Sequence, residues 1–265
     1  MGIKLIALDI DGTLTANSSS EVPAENLAAI RRAQEAGVFV TLATGRGCIA
    51  SRGFWEALNI QGPSIQFGGA WTVDTRNEHL IDSQPLAPEL VQEILRYARE
   101  LHVQSQVYAG NTLISEKTDP MTDAYVAKNK IPYEVDAQLP NRMIENVPKA
   151  LIFVPAEDEP MIRGKFIEKL GERAHVTRSQ PTFIEINAPG VSKGSALARL
   201  AKIMGIDRSE VAAVGDSYLD QDMIEWAGMG VCVEDGVPEV KAAADVIIPP
   251  CMENGVAAFI DRYVL

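Results

Sequence analysis

The stretch Ile6-Ala7-Leu8-Asp9-Ile10-Asp11-Gly12-Thr13-Leu14 most restricts what this chain can fold into. An apolar run ends abruptly in two carboxylates, one residue apart, and then a glycine. A short segment crowded with Leu, Ile and Ala reads as a strand buried on both faces, as in a parallel sheet. Asp9 and Asp11 then fall at its carboxyl end, where open α/β sheets build their sites. Residues two apart on an extended chain point the same way. Two carboxylates held side by side suit a hard divalent cation, or a nucleophile beside an acid/base. Gly12 lets the backbone turn sharply without a Cβ clash. Asp-x-Asp-Gly alone fits a solvated acidic turn equally well, so its meaning rests on the elements that answer it further along.

After the polar loop Thr15 to Glu21, Pro23 suits the first turn of a helix and Gly37 its stop. Val38 to Ala43 is the next buried strand, ending in Thr44-Gly45-Arg46. Strand, helix, strand is a βαβ unit with parallel strands and a right-handed crossover. Thr44 is therefore expected at the same sheet edge as Asp9. A hydroxyl followed by a glycine amide at a helix start can bind a phosphate oxygen, although Thr44 alone reads equally as a helix cap. Ser51 to Leu58 continues as a helix, Ser64 to Phe67 as a short strand, and Gly68-Gly69 leads into Ala70 to Asp74.

Pro85 and Pro88 break the chain, and a different pattern begins near Ser83. Val91, Ile94, Leu95 and Ala98 give the helix Pro88 to Leu101 an apolar stripe. Gln104 to Tyr108 and Thr112 to Ser115 read as a hairpin around Ala109-Gly110-Asn111. A short helix to Lys128, a strand from Lys149, a helix from Met161 to Leu170 and two more strands follow. This alternation marks an α+β domain inserted into the first one. The expected division is residues 1–82 plus 188–265 for the core and 83–187 for the insert.

The first pattern returns after Pro189-Gly190. Ser192 caps a helix from Lys193 to Met204. Val211 to Val214 is another all-apolar strand, followed by Gly215-Asp216-Ser217-Tyr218-Leu219-Asp220. Helices and strands then alternate to a last helix, Val256 to Tyr263.

The net charge is 24 minus 36, or −12, with no basic run. Nucleic acid and anionic membranes are therefore poor partners. No apolar run reaches bilayer length, and no signal peptide is expected before the first strand. Cys48, Cys232 and Cys251 fit no metal spacing and read as reduced thiols of a cytoplasmic protein. His79, His102 and His175 are scattered, which gives little support to a zinc site or a Ser-His-Asp triad.

One sheet edge is thus expected to collect Asp9, Asp11, Thr44 and Asp216, with Lys193 at a helix start. Singly, Asp216 reads as a helix cap and Lys193 as an exposed lysine. Together they suit phosphoryl transfer. Asp9 is the expected nucleophile. Asp11 is expected to protonate the leaving alkoxide and then to deprotonate the hydrolytic water. Mg²⁺ is expected on Asp9, the Asp11 backbone carbonyl and Asp216.

With these residues the chain resembles the haloacid dehalogenase superfamily, and specifically its Cof-like (type IIB) phosphatases. The motifs are Asp9-Ile10-Asp11-Gly12-Thr13-Leu14, Thr44-Gly45-Arg46, Ser192-Lys193-Gly194 and Gly215-Asp216 with Asp220. The resemblance covers the whole chain. It implies an α/β fold: a Rossmann-like, doubly wound parallel sheet with an inserted α+β cap that screens substrate. It further implies phosphate binding by Thr44, Gly45 and Lys193, metal binding by Asp9, Asp11 and Asp216, and support of the metal site by Asp220. The expected reaction is Mg²⁺-dependent hydrolysis of small phosphorylated metabolites such as sugar phosphates, through an aspartyl-phosphate. A sugar phosphomutase and a phospho-ligand sensor without turnover are the alternatives. The sequence departs from the family at Leu219, where an Asn that contacts phosphate is usual, at Gly68, and at Glu234-Asp235-Gly236.

Overall fold

Leu5–Leu8 forms β1, and every one of its residues is buried. Each fully buried Leu or Ile in such a strand contributes about 1.5–3 kcal/mol. In the computed structural model, which describes residues 2–16, 19 and 21–265, β1 is an interior strand of a five-stranded parallel sheet. Asn17, Ser18 and Ser20 of the expected polar loop lie outside the described residues.

The strand order is β14-β13-β12-β1-β2, with β2 at Phe39–Leu42, β12 at Val211–Gly215, β13 at Met229–Val233 and β14 at Val246–Ile248. The order reverses at β1 and β12, so this is the doubly wound arrangement expected from the βαβ spacing, with its switch point between those two strands. Leu8 pairs with Val214 on one side and Leu42 on the other. The carboxyl ends of three adjacent strands are therefore level.

Helices α1 (Ala24–Glu35) and α9 (Gly255–Tyr263) belong to the same unit and bury Ala29, Ile30 and Ala33, and Val256, Phe259 and Ile260. A core of Leu5, Ala7, Leu197, Leu200, Val211, Ala213 and Met223 joins β1 and β12 to α6 (Lys193–Met204) and α7 (Gln221–Trp226). Helix α2 spans Cys48–Ala57 and α8 Pro238–Ala243. A separate three-stranded sheet holds β3 (Pro63–Gln66), β4 (Trp71–Asp74) and β5 (His79–Ser83). The segment expected as a short strand, 64–67, meets the parallel sheet through the isolated bridge Ala43–Ile65 and through the Thr41 hydroxyl of β2, which donates to the Pro63 carbonyl at 2.8 Å.

The chain divides into two compact units: 1–46, 51–82 and 192–265 in one, 47–50 and 83–191 in the other. The return crossing lies at Val191/Ser192, four residues beyond the point the sequence suggests. Val191 N–H donates to Ala188 (3.1 Å) and the Val191 carbonyl contacts the His175 ring, which ties the turn to its own unit.

The second unit carries a six-stranded sheet, β10-β11-β9-β6-β7-β8. Its strands are β6 (Gln104–Ala109), β7 (Thr112–Ser115), β8 (Tyr133–Val135), β9 (Ala150–Phe153), β10 (His175–Gln180) and β11 (Phe183–Asn187). Helix α3 (Pro88–Glu100) buries the expected stripe, and α5 (Glu159–Leu170) buries Ile162 and Phe166. Helix α4 (Pro120–Asn129) starts on the Asp119 carboxylate, which accepts from the Met121 and Thr122 N–H groups. A buried ion pair, Lys149–Glu185 at 3.0 Å, lies beside the buried Tyr108. Strand β8 has no sequence signature because its three side chains are half-buried or exposed.

Candidate active site

Asp9 follows β1, and its N–H continues the ladder to the Val214 carbonyl of β12 at 3.0 Å. Asp216 follows β12 directly. The two carboxylates thus belong to neighbouring strand ends at the switch point. Gly12 lets the turn after Asp11 pass close to Asp216: at φ +91°, a Cβ there would lie 2.5 Å from Asp216 Oδ2. Thr13, buried beside it, donates its hydroxyl to Asp216 Oδ1 at 2.7 Å.

Lys193 is the first residue of α6, which is fixed by a capping box: Ser192 and Ser195 each accept from the other's backbone N–H. The lysine points inward and is 2% exposed. Its ammonium donates to Asp9 Oδ1 at 2.6 Å and to Asp220 Oδ1 at 2.5 Å. Burial alone would lower its pKa, but the Asp220 and Asp9 carboxylates outweigh that and push it up.

Asp220 is wholly buried. Its second oxygen accepts from Asp216 N–H (3.2 Å), Ser217 N–H (2.9 Å) and the Ser217 hydroxyl (2.9 Å). It therefore shapes the turn that presents Asp216 while also holding Lys193.

Asp9, Asp216 and Asp220 offer oxygens that all lie within 4.8 Å of one another. Burial, and next the Asp220 charge, raise the Asp9 carboxyl well above the usual carboxylate range. The same two causes push Asp216 up to about 7, against the pull of the Thr13 hydroxyl and Lys193. One ammonium does not balance three clustered carboxylates. The remaining deficit, with oxygen-only donors, is what a hard divalent cation satisfies. On this test the residues fit Mg²⁺.

The Asp11 carboxylate is not in that three-residue group, although the sequence places it among the metal residues. Both of its oxygens accept from Arg46: Nε at 2.7 Å and Nη2 at 2.6 Å. Planar forks of this kind favour bidentate pairing with a carboxylate. The sequence reading gave Arg46, Thr13 and Ser217 no role. Arg46 follows directly on Thr44-Gly45, and that adjacency was the available signal.

Thr44 is buried two residues past β2. Its N–H donates to Ile65, its carbonyl accepts from Gly68 N–H, and its hydroxyl accepts from Arg46 N–H at 3.1 Å. Helix α2 begins only at Cys48, so the Gly45 amide precedes the helix instead of opening it. Leu219 is half-buried in the turn between Asp216 and Asp220.

Fold and site together define an α/β protein with a lysine-bridged acidic centre at the switch point of a doubly wound sheet. The profile of the haloacid dehalogenase-like hydrolases matches residues 6–260, and the chain belongs to that family. YxeH of Bacillus subtilis is 31% identical over 99% of this chain and 98% of its own. The 5-amino-6-(5-phospho-D-ribitylamino)uracil phosphatase YcsE of the same organism is 32% identical, over 99% of this chain and 96% of its own. A crystal structure of a haloacid dehalogenase-like hydrolase from Bacteroides thetaiotaomicron superposes with a TM-score of 0.87 at 31% identity, covering 98% of this chain and 99% of that one. No helix among the described residues is long and apolar enough to cross a membrane.

Proposed function

We propose that this protein is a Mg²⁺-dependent phosphatase of small phosphorylated metabolites, sugar phosphates among them, working through an aspartyl-phosphate on Asp9. The observation that carries this reading is the buried contact of Lys193 with Asp9, beside Asp216 at the switch point. A relative named for its action on a phosphorylated ribitylamino compound supports the substrate class.

An Asp9 oxygen attacks phosphorus. The bond from phosphorus to the bridging oxygen breaks, and its electron pair stays on that oxygen, which takes a proton from the Asp11 carboxyl. The Asp11 carboxylate then removes a proton from water, whose oxygen attacks phosphorus and frees Asp9. Lys193 holds Asp9 in place and neutralises charge on the phosphoryl oxygens. Thr44 and the Gly45 amide donate to those oxygens. Asp9, Asp216 and the Asp11 backbone carbonyl would hold the cation, with Asp220 positioning Asp216. When bound, the metal neutralises phosphoryl charge and helps to orient the ester for in-line attack. We assign substrate selection to the inserted unit, residues 83–191. The three cysteines are free and buried, which supports a reducing compartment such as the cytoplasm.

The test is phosphate release from p-nitrophenyl phosphate and from a panel of sugar and nucleotide-precursor phosphates, with Mg²⁺ or with a chelator. Release that needs Mg²⁺ and favours a subset of the panel is expected. Absence of release from every ester would overturn the reading.

A further inference from the structure

Four carboxylates crowd this sheet edge, but their cations are divided. Lys193 serves Asp9 and Asp220, whereas Arg46 holds both oxygens of Asp11. The Arg46–Asp11 pair is partly open to solvent, with side chains 15% and 29% exposed. A carboxylate in that setting rotates freely unless something holds it.

Arg46 is itself unusually well held. Its N–H donates to the Thr44 hydroxyl at 3.1 Å, and its carbonyl accepts from Phe67 N–H at 2.9 Å. Its guanidinium lies over the Phe54 ring, 4.9 Å from the centroid. Phe54 and Phe67 are both buried. Stacking on an aromatic face and a planar fork restrict where the guanidinium can go. A rigid path therefore runs from the packed core through Arg46 to both oxygens of Asp11.

We infer that Arg46 is a positioning residue for the proton transfers of Asp11, a role resting on the phosphatase reading above. When the phosphorus–oxygen bond breaks, the Asp11 proton moves to the departing oxygen, and the new carboxylate is received by the guanidinium fork. Arg46 then holds that carboxylate at a fixed angle until it takes a proton from the hydrolytic water. No atom of Arg46 forms or breaks a covalent bond. The path also links Asp11 to Thr44, so one short segment sets both the acid/base and a phosphate donor.

The role leaves a signature that a structural arginine would not. Esters with poor leaving groups need the proton in the first step, and p-nitrophenyl phosphate does not. Misplacing a reacting group by about 1 Å costs on the order of a hundredfold. Arg46→Met is therefore expected to lower single-turnover phosphorylation by an alkyl phosphate by roughly tenfold to a hundredfold, and by p-nitrophenyl phosphate only about threefold or less. Arg46→Lys, which keeps the charge but not the fork, is expected to fall between wild type and Arg46→Met. Each variant is first checked for an unchanged thermal melt.

Equal losses on alkyl and aryl esters, or a change confined to KM, would overturn the positioning role. So would loss of the fold in both variants, which would make the pair a stabilising contact. If wild-type protein phosphorylates with neither ester, the phosphatase reading itself fails and the inference falls with it. If wild type is active and Asp11→Asn shows no leaving-group dependence, the fault lies in Asp11 and not in Arg46.

Discussion

Gly69 faces the carbonyl of Ser192 so closely that a Cβ on Gly69 would sit 2.1 Å from that oxygen. Its φ of +104° lies in the region that favours glycine. Ser192 caps α6, and the next residue is Lys193, whose ammonium bridges Asp9 and Asp220. The turn after β3 and the position of the site lysine are thus one packing problem.

Gly69→Ala is therefore expected to push Ser192 and Lys193 away from Asp9. Overpacking and an unfavourable φ together destabilise by about 1–3 kcal/mol or more. Thermal melts and phosphatase assays check this. An unchanged melting temperature with unchanged turnover would show that the backbone at Gly69 yields without moving the lysine.

Asp9→Asn is expected to abolish turnover, by roughly a thousandfold or more, while the fold survives. The amide is nearly the same size as the carboxylate but is a poor nucleophile. Near wild-type phosphate release from the folded variant with Mg²⁺ would rule out an aspartyl-phosphate on Asp9.

The raised Asp216 carboxyl sets a pH dependence for the metal-free protein. Its folded pKa is about 7, against an ordinary 3.8. The folded state therefore keeps a proton that the unfolded chain has lost. That contribution to stability is complete below about pH 4 and is lost as pH rises through about 7. Asp9 shifts in the same direction. A divalent cation relieves the carboxylate repulsion, so the melting temperature should rise more on adding Mg²⁺ near about pH 7.5 than near about pH 5. Asp216→Asn should flatten the difference. Equal Mg²⁺ shifts at both pH values would contradict the assignment.

Leu219→Asn would place a side-chain N–H in the turn between Asp216 and Asp220. A hydrogen bond to a charged group is worth about 1.5–3 kcal/mol, or roughly a tenfold to hundredfold gain in affinity. Inhibition by inorganic phosphate at saturating Mg²⁺ should tighten accordingly, and KM for simple phosphate esters should fall. Unchanged or weaker inhibition would mean that position 219 does not face the phosphate.

Much of the fold was legible in the sequence because its signals are local. The apolar run Leu5–Leu8 and the all-apolar Val211–Val214 announced interior parallel strands, since a strand covered on both faces has no polar positions. The helical stripe of α3 and the Ser192 cap of α6 were readable for the same reason. Strand β8 was not, because it pairs through its backbone and buries little. The return crossing was misplaced by four residues because the hydrogen bonds that hold Ala188–Val191 to their unit leave no local pattern.

For the site, the sequence determined which residue types stand at which strand ends, and so the chemistry available there. Only tertiary structure decided how their charges pair. A strand gives its end residue a side of the sheet, but a side-chain partner depends on backbones that meet from distant parts of the chain. Lys193 could as well have been exposed. Its burial between Asp9 and Asp220 follows from the docking of α6 against β1 and β12. Asp11 shares a strand end with Asp9 yet pairs with Arg46, because the turn after β2 brings a rigid guanidinium to it. Thr13 reaches Asp216 where Gly12, with no side chain, lets the turn after β1 pass against the Asp216 carboxylate.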